Sequence, residues 1–193
     1  MKKEFVYVVD NVFSPAECAE IIKKYQPQVN NVLPSGQFAL LGDETPFAQR
    51  FYDVLFDYQK TFPGIHYTPS KWMLGNFKFH YYEKGKCFDK WHNEHCISAP
   101  HRILGMILYL TEHKTGTEFL TGGTIKSVPG RIAAFPCGFT HTHRGQNCPE
   151  EIDRFIISSY VRFYECGKTE IEWKNKAIEK YNENNERASK TSH

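Results

Sequence analysis

The chain predicts an α+β fold in which helices come first and a strand-rich sheet structure follows. Two observations predict it. Apolar residues recur at helical spacing as far as about residue 62, and from Lys71 to about Glu165 the period becomes extended. In that second stretch, runs rich in Phe, Tyr, Ile and Val lie between Gly and Pro punctuation. Many short strands joined by turns build a sandwich, barrel or jelly roll, and the preceding helices buttress one sheet.

Residues 4 to 9, Glu-Phe-Val-Tyr-Val-Val, are β-branched and aromatic and predict a strand. Ser14-Pro15-Ala16-Glu17 then supplies an N-cap, a proline at the first helical position and an acidic first turn, so a helix runs over about 15 to 25. Asn, Pro, Ser and Gly between 30 and 45 are loop chemistry. A second helix is expected over about 46 to 62, with Phe47, Phe51, Leu55 and Tyr58 on one face. The extended runs are Asn76 to Tyr82, Ile103 to Leu110, Arg131 to Phe135 and Arg154 to Tyr164. One domain thus spans 1–165, with a helical buttress over about 10–62 and a strand core over about 71–165. Residues 166–193 form a charged, Asn-rich tail with a helical-looking piece around Ile171 to Tyr181.

Composition narrows the function classes. A net charge of +2 with 24% charged residues gives no basic excess for nucleic acid, and none is expected as a partner. No stretch approaches the roughly 18 apolar residues of a membrane span, and the first apolar run ends at Asp10, too short for a signal peptide. The expected compartment is the cytoplasm. Six cysteines without a CxxC pair are read as reduced thiols rather than as a zinc site or disulfides.

Chemistry concentrates in three segments. In Lys90-Trp91-His92-Asn93-Glu94-His95, residues i and i+2 of an extended chain point to one side, so His92 and Glu94 can converge on one ion. Ala134 to Gly145 carries two further histidines after an apolar strand, His141 and His143; the Arg-Gly that follows favours His143, with His141 as the alternative. Two imidazoles and one carboxylate with open positions form the facial arrangement of non-haem iron(II) oxygenases. His95 and His101 are read as loop residues or supports for the ligands. In Asp153 to Tyr160 the alternation places Arg154, Ile156, Ser158 and Tyr160 on one face. An interior guanidinium needs an anionic partner, and a dicarboxylate supplies one through paired hydrogen bonds.

The order of HxE, a distal histidine followed by Arg-Gly, and a basic residue on the next strand resembles the 2-oxoglutarate oxygenases. From about Phe5 to Tyr164 the likeness is closer to the prolyl 4-hydroxylase-like group: Tyr82 stands ten residues before His92, and Arg102 and Tyr109 look like the group's Arg…Tyr-Leu strand. Ser14 to Cys18 resembles the group's opening helix. Departures are Glu94 in place of the usual aspartate, Ser158 and Tyr160 where Thr and Trp are typical, and a partial Gly-Gly-x-Thr-x-Phe turn at Thr115 to Phe119.

The resemblance implies a double-stranded β-helix, or jelly roll, and an Fe(II)- and 2-oxoglutarate-dependent dioxygenase using O2, with ascorbate as a reductant. His92, Glu94 and His143 would ligate the metal. Arg154, Tyr82, Tyr109 and Ser158 would bind 2-oxoglutarate. Arg102, Trp91 and Tyr160 are candidates for the substrate side, although Arg102 also reads as a core ion-pair member and Trp91 as core. The implied substrate is a prolyl residue in a peptide or protein, the alternatives being a free amino acid, another small molecule, or no turnover at all in a metal-binding module.

Overall fold

In the computed structural model, whose described residues are 4–33, 36–43, 45–68, 71–97, 99–147 and 152–163, both helices come before most of the strands, as expected. Helix α1 (Pro15–Tyr25) begins where the cap chemistry puts it. Ser14 Oγ accepts from the Glu17 N–H at 3.2 Å, and the Glu17 carboxylate accepts from the Ser14 N–H at 2.8 Å, closing a capping box. Arg50 of helix α2 (Ala48–Thr61) reaches the same carboxylate at 2.6 Å and ties the two helices together. One face of α2 carries Phe51, Val54, Leu55 and Tyr58, all buried.

The strands are β1 (Tyr7–Val9), β2 (Asn31–Leu33), β3 (Gly36–Leu40), β4 (Trp72–Tyr82), β5 (Arg102–Tyr109), β6 (Gly116–Phe119), β7 (Thr124–Lys126), β8 (Ile132–Pro136), β9 (His143–Gly145) and β10 (Arg154–Phe163). Seven form one sheet in the order β1-β8-β5-β10-β4-β3-β2, and three form a second in the order β7-β6-β9. All pairings are antiparallel. The result is the double-stranded β-helix, with the helices laid on the large sheet's outer face.

The large sheet sorts its residues by parity. Its outer face gives Leu74, Phe77, Phe79, Leu104, Leu108, Phe155 and Ile157 to the core shared with Phe51 and Leu55, and Phe51 meets Phe77 edge-on at 5.2 Å. Its inner face gives Tyr109, Ala133 and Phe135 to a smaller core with Phe119 and Ile125 of the three-stranded sheet.

Parity on β4 is reset once. Pairing with β10 advances two residues from Ser158 to Tyr160 but three on β4 from Lys78 to Gly75, a β-bulge. Asn76 takes a left-handed φ of 59° there, and its N–H is held by Asp43 Oδ1 at 2.6 Å. A side chain at Gly75 would meet the same carboxylate at 2.8 Å. Leu74 and Phe77 therefore share a face although three residues apart, and Lys78, His80 and Tyr82 turn inward.

The segment over 30 to 45, expected as loop, is largely the hairpin β2–β3. Long-range pairing of β3 with β4 overrides the weak strand propensity of its Asn, Gly and Gln residues. Gly36 explains part of the composition: its φ is +125°, and a Cβ there would lie 2.5 Å from the Tyr82 ring. Strands β6, β7 and β9 also go beyond the expected set, being three or four residues long with no alternating pattern to read. The tail over 166–193 and its helical piece around Ile171 to Tyr181 lie outside the described residues. No described helix is long and apolar enough to cross a membrane.

Replacing Asn76 tests the bulge. Asn76→Gly should leave stability nearly unchanged, whereas Asn76→Val should cost about 1–3 kcal/mol, because a β-branched residue resists the left-handed region. Urea denaturation midpoints of the two variants check this; equal midpoints would show that the conformation imposes no constraint.

Candidate functional site

Between the large sheet's inner face and the three-stranded sheet lies a cavity of about 290 Å³. Strand β4 lines it with Lys78, His80 and Tyr82, β5 with Arg102, Ile107 and Tyr109, and β10 with Arg154, Ile156, Ser158 and Tyr160. The β10 set is the one that alternation predicts. Phe38 of the hairpin closes one side, and Thr117 and His143 face from the small sheet.

His92, Glu94 and His143 meet at this cavity. His92 is not within a regular strand; it forms a single bridge with His143, in which each residue's N–H donates to the other's carbonyl, at 3.0 and 2.8 Å. The Glu94 N–H donates to the Cys137 carbonyl at 3.0 Å, which sets Glu94 beside the pair. Glu94 Oε1 lies 3.7 Å from His92 Nε2 and 3.9 Å from His143 Nε2, and the three side chains offer ligand atoms within 4.8 Å of one another. Among the described residues this is the only such cluster of three.

Both tautomers are fixed by the backbone. His92 Nδ1 lies 2.9 Å from the Lys90 carbonyl, and His143 Nδ1 lies 2.9 Å from the His141 carbonyl. A carbonyl only accepts, so each Nδ1 carries a proton, and the Nε2 atoms are the ones turned to Glu94. Burial, followed by the nearby His92, lowers the His143 pKa to about 4 and favours the neutral ring that a metal requires. Burial opposes ionisation of Glu94, but the adjoining His92 and the Arg102 charge outweigh it and hold the carboxyl at about 2. His141 is turned away: its Nε2 donates to the Glu4 carbonyl at 2.9 Å, and its Nδ1 is 2.9 Å from Thr140 Oγ1.

Arg154, 5% exposed, donates to Thr115 Oγ1 at 2.7 Å, and its buried Nε has no partner. An unsatisfied guanidinium nitrogen with no carboxylate paired to Arg154 among the described residues is unsatisfactory for the protein alone and suits an anion. The Tyr109 hydroxyl is 2.7 Å from Thr117 Oγ1, and burial pushes its pKa up to about 12, so it stays a neutral phenol. Ser158 Oγ is 2.8 Å from His80 Nε2, and the His80 ring lies parallel to that of Tyr82, centroids 6.1 Å apart. Burial, then the Lys78 charge, lowers the His80 pKa to about 4.

Arg102 lines the cavity and is also ion-paired, donating to Glu94 Oε2 at 2.8 Å. Tyr160 is buried beneath it, its ring centroid 3.7 Å from the guanidinium carbon. Trp91 does not line the cavity: one residue from His92, it takes the opposite side, where Arg144 stacks on it at 4.3 Å. Sequence reasoning missed Thr115, Thr117 and His80. The first two lie in the partial turn noted only as a departure, and His80 follows from stepping back two residues from Tyr82.

The buried histidines give a pH signature. For His80 and His143 the folded pKa of about 4 lies below the ordinary 6.5, so the unfolded chain binds protons that the folded chain does not. Stability of the metal-free protein should therefore fall as pH drops below about 6.5 and go on falling to about 4. Melting temperatures across that range check it, and His80→Gln should flatten the slope; an unchanged slope would remove His80 from this account.

No family model matches the chain, and no curated protein is similar to it in sequence. Solved structures do match in three dimensions. The viral collagen prolyl hydroxylase of Paramecium Bursaria Chlorella virus-1, in complex with 2OG, is 15% identical, with a TM-score of 0.67 over 84% of this chain and 97% of that one. A Pseudomonas putida prolyl-4-hydroxylase is 13% identical, with a TM-score of 0.60 over 83% and 93%. A Trichoplax adhaerens prolyl hydroxylase, in complex with a hypoxia inducible factor peptide fragment, is 11% identical, with a TM-score of 0.61 over 83% and 84%. The chain has the fold of the prolyl 4-hydroxylase-like 2-oxoglutarate oxygenases.

Proposed function

We propose that the chain is an Fe(II)- and 2-oxoglutarate-dependent dioxygenase that hydroxylates a prolyl residue of a peptide or protein. The observation that carries this reading is the facial group of His92, Glu94 and His143 opening into the same cavity as the partnerless Arg154 nitrogen. Two imidazoles presenting Nε2 atoms and one ionised carboxylate suit iron(II) and leave room for further ligands. The prolyl substrate is supported by the three prolyl hydroxylases that share the fold, one of them holding a peptide.

When bound, iron and 2-oxoglutarate supply the oxidising chemistry, with O2 consumed and succinate and CO2 released. The chain's own residues bind, orient and exclude. Arg154 would pair with the far carboxylate of 2-oxoglutarate through a fork geometry that a lysine lacks. Its Thr115 hydrogen bond holds the guanidinium in place, and Tyr82, Tyr109 and Ser158 line the same pocket with hydroxyl groups. Ile107, Ile156 and Phe135 keep the wall apolar, so water is excluded where charge must be held in a fixed environment. Arg102 and Tyr160 face the substrate side.

Succinate formation with iron(II) under air should vanish in His143→Ala. Arg154→Ala should raise the 2-oxoglutarate requirement by at least about 30-fold, the equivalent of roughly 2 kcal/mol for a truncated buried charge pair. An unaltered requirement would remove Arg154 from the pocket. Proline-containing peptides should gain the mass of one oxygen; gain only on free amino acids would move the substrate to a small molecule, and failure to bind 2-oxoglutarate at all would leave a non-catalytic metal-binding module.

A further inference from the structure

We propose that Arg102 is a positioning residue for the metal-binding carboxylate: it holds Glu94 Oε2, so that Oε1 alone is offered to the ion. The inference rests on the iron site proposed above. The two oxygens of Glu94 are divided between two duties. Oε2 accepts from Arg102 at 2.8 Å, while Oε1 is the oxygen 3.7 Å and 3.9 Å from the two histidine Nε2 atoms.

Three features make Arg102 a fixed support rather than a passing neighbour. Both side chains of the pair are only 16% exposed, so solvent does little to loosen them. The guanidinium is stacked on Tyr160, which carries it from below. The pairing of β10 with β5 shifts register between Val161 and Arg162, at the level of Arg102, and Arg102 comes to line the cavity with Gly105, Ile107 and Tyr109.

The length of Glu94 gives the device its purpose. A glutamate has one more methylene than an aspartate and one more rotatable bond, so it can swing to present both oxygens to a cation. Bidentate attachment would occupy two adjoining positions, and oxygen activation needs open ones. A charge-assisted hydrogen bond to Oε2 removes that freedom and fixes which oxygen faces the histidines. Loss of a group that orients a metal ligand in this way typically weakens metal binding about 10- to 100-fold.

The test is anaerobic titration of the metal-free protein with Co(II), read from its ligand-field absorption, with 2-oxoglutarate affinity measured at saturating Co(II). Arg102→Met should weaken Co(II) binding roughly 10- to 100-fold and change the band, while 2-oxoglutarate affinity stays within about twofold. Arg102→Lys, which keeps a donor and a charge, should recover most of the loss. In a Glu94→Asp background the shorter side chain is out of Arg102's reach, so Arg102→Met should change Co(II) affinity less than about threefold, a non-additive cycle. Parent-like affinity and spectrum in Arg102→Met, or the same loss in both backgrounds, overturns the positioning role. Absence of Co(II) binding by the parent chain overturns the iron site itself, a result separate from either of those.

Discussion

A β-strand offers successive residues to opposite faces, and the rest of the molecule depends on that constraint. The large sheet must satisfy an apolar helical layer on one side and a cavity bearing charged and hydroxyl groups on the other with the same strands. On β10 this gives Phe155, Ile157 and Val161 to the helices and Arg154, Ile156, Ser158 and Tyr160 to the cavity. Neither set can be altered in phase without moving the other. The sheet is therefore both the core's wall and the site's wall, and the two cores on its faces hold it rigid between them.

The second sheet completes the site at small cost in chain length. It has only three short strands, yet β9 brings His143 against His92 through two backbone hydrogen bonds. Those bonds fix the separation of two imidazoles before any ion is present, and the Lys90 and His141 carbonyls fix their tautomers. Pre-organisation of this kind spares the protein the entropy of gathering ligands at the moment of binding. The carboxylate of the group is ordered in turn by a side chain from the large sheet, so each of the three is held from a different direction.

Much of this was legible in the residues. Cap chemistry at Ser14 located α1, the stripe from Phe51 to Tyr58 located α2, and alternation from Arg154 to Tyr160 identified a cavity wall. The HxE spacing brought His92 and Glu94 to one side, although a lone bridge and a bond to the Cys137 carbonyl do the work that a regular strand was expected to do. What was not legible depends on partners distant in sequence. The hairpin β2–β3 owes its form to β4, not to its own Asn- and Gly-rich composition. Whether Trp91 and Arg102 face the substrate side or the core could not be read, because their facing is decided by an isolated bridge and a register shift that no local pattern records.

The bulge at Asn76 carries a consequence for how such a site can change over time. Lys78, His80 and Tyr82 pair with Ser158, Ile156 and Arg154 beyond the extra residue, so their inward orientation behaves as a single unit. Loss of the extra residue at the bulge would restore regular pairing and leave that direction unchanged, whereas loss of one residue between Lys78 and Tyr82 would reverse every side chain on one side of the gap. Substitution at any one of the three, by contrast, leaves the direction of the others untouched. A strand built in this way can therefore explore new pocket chemistries one side chain at a time and can lose its bulge, while a single insertion or deletion is barred between Lys78 and Tyr82.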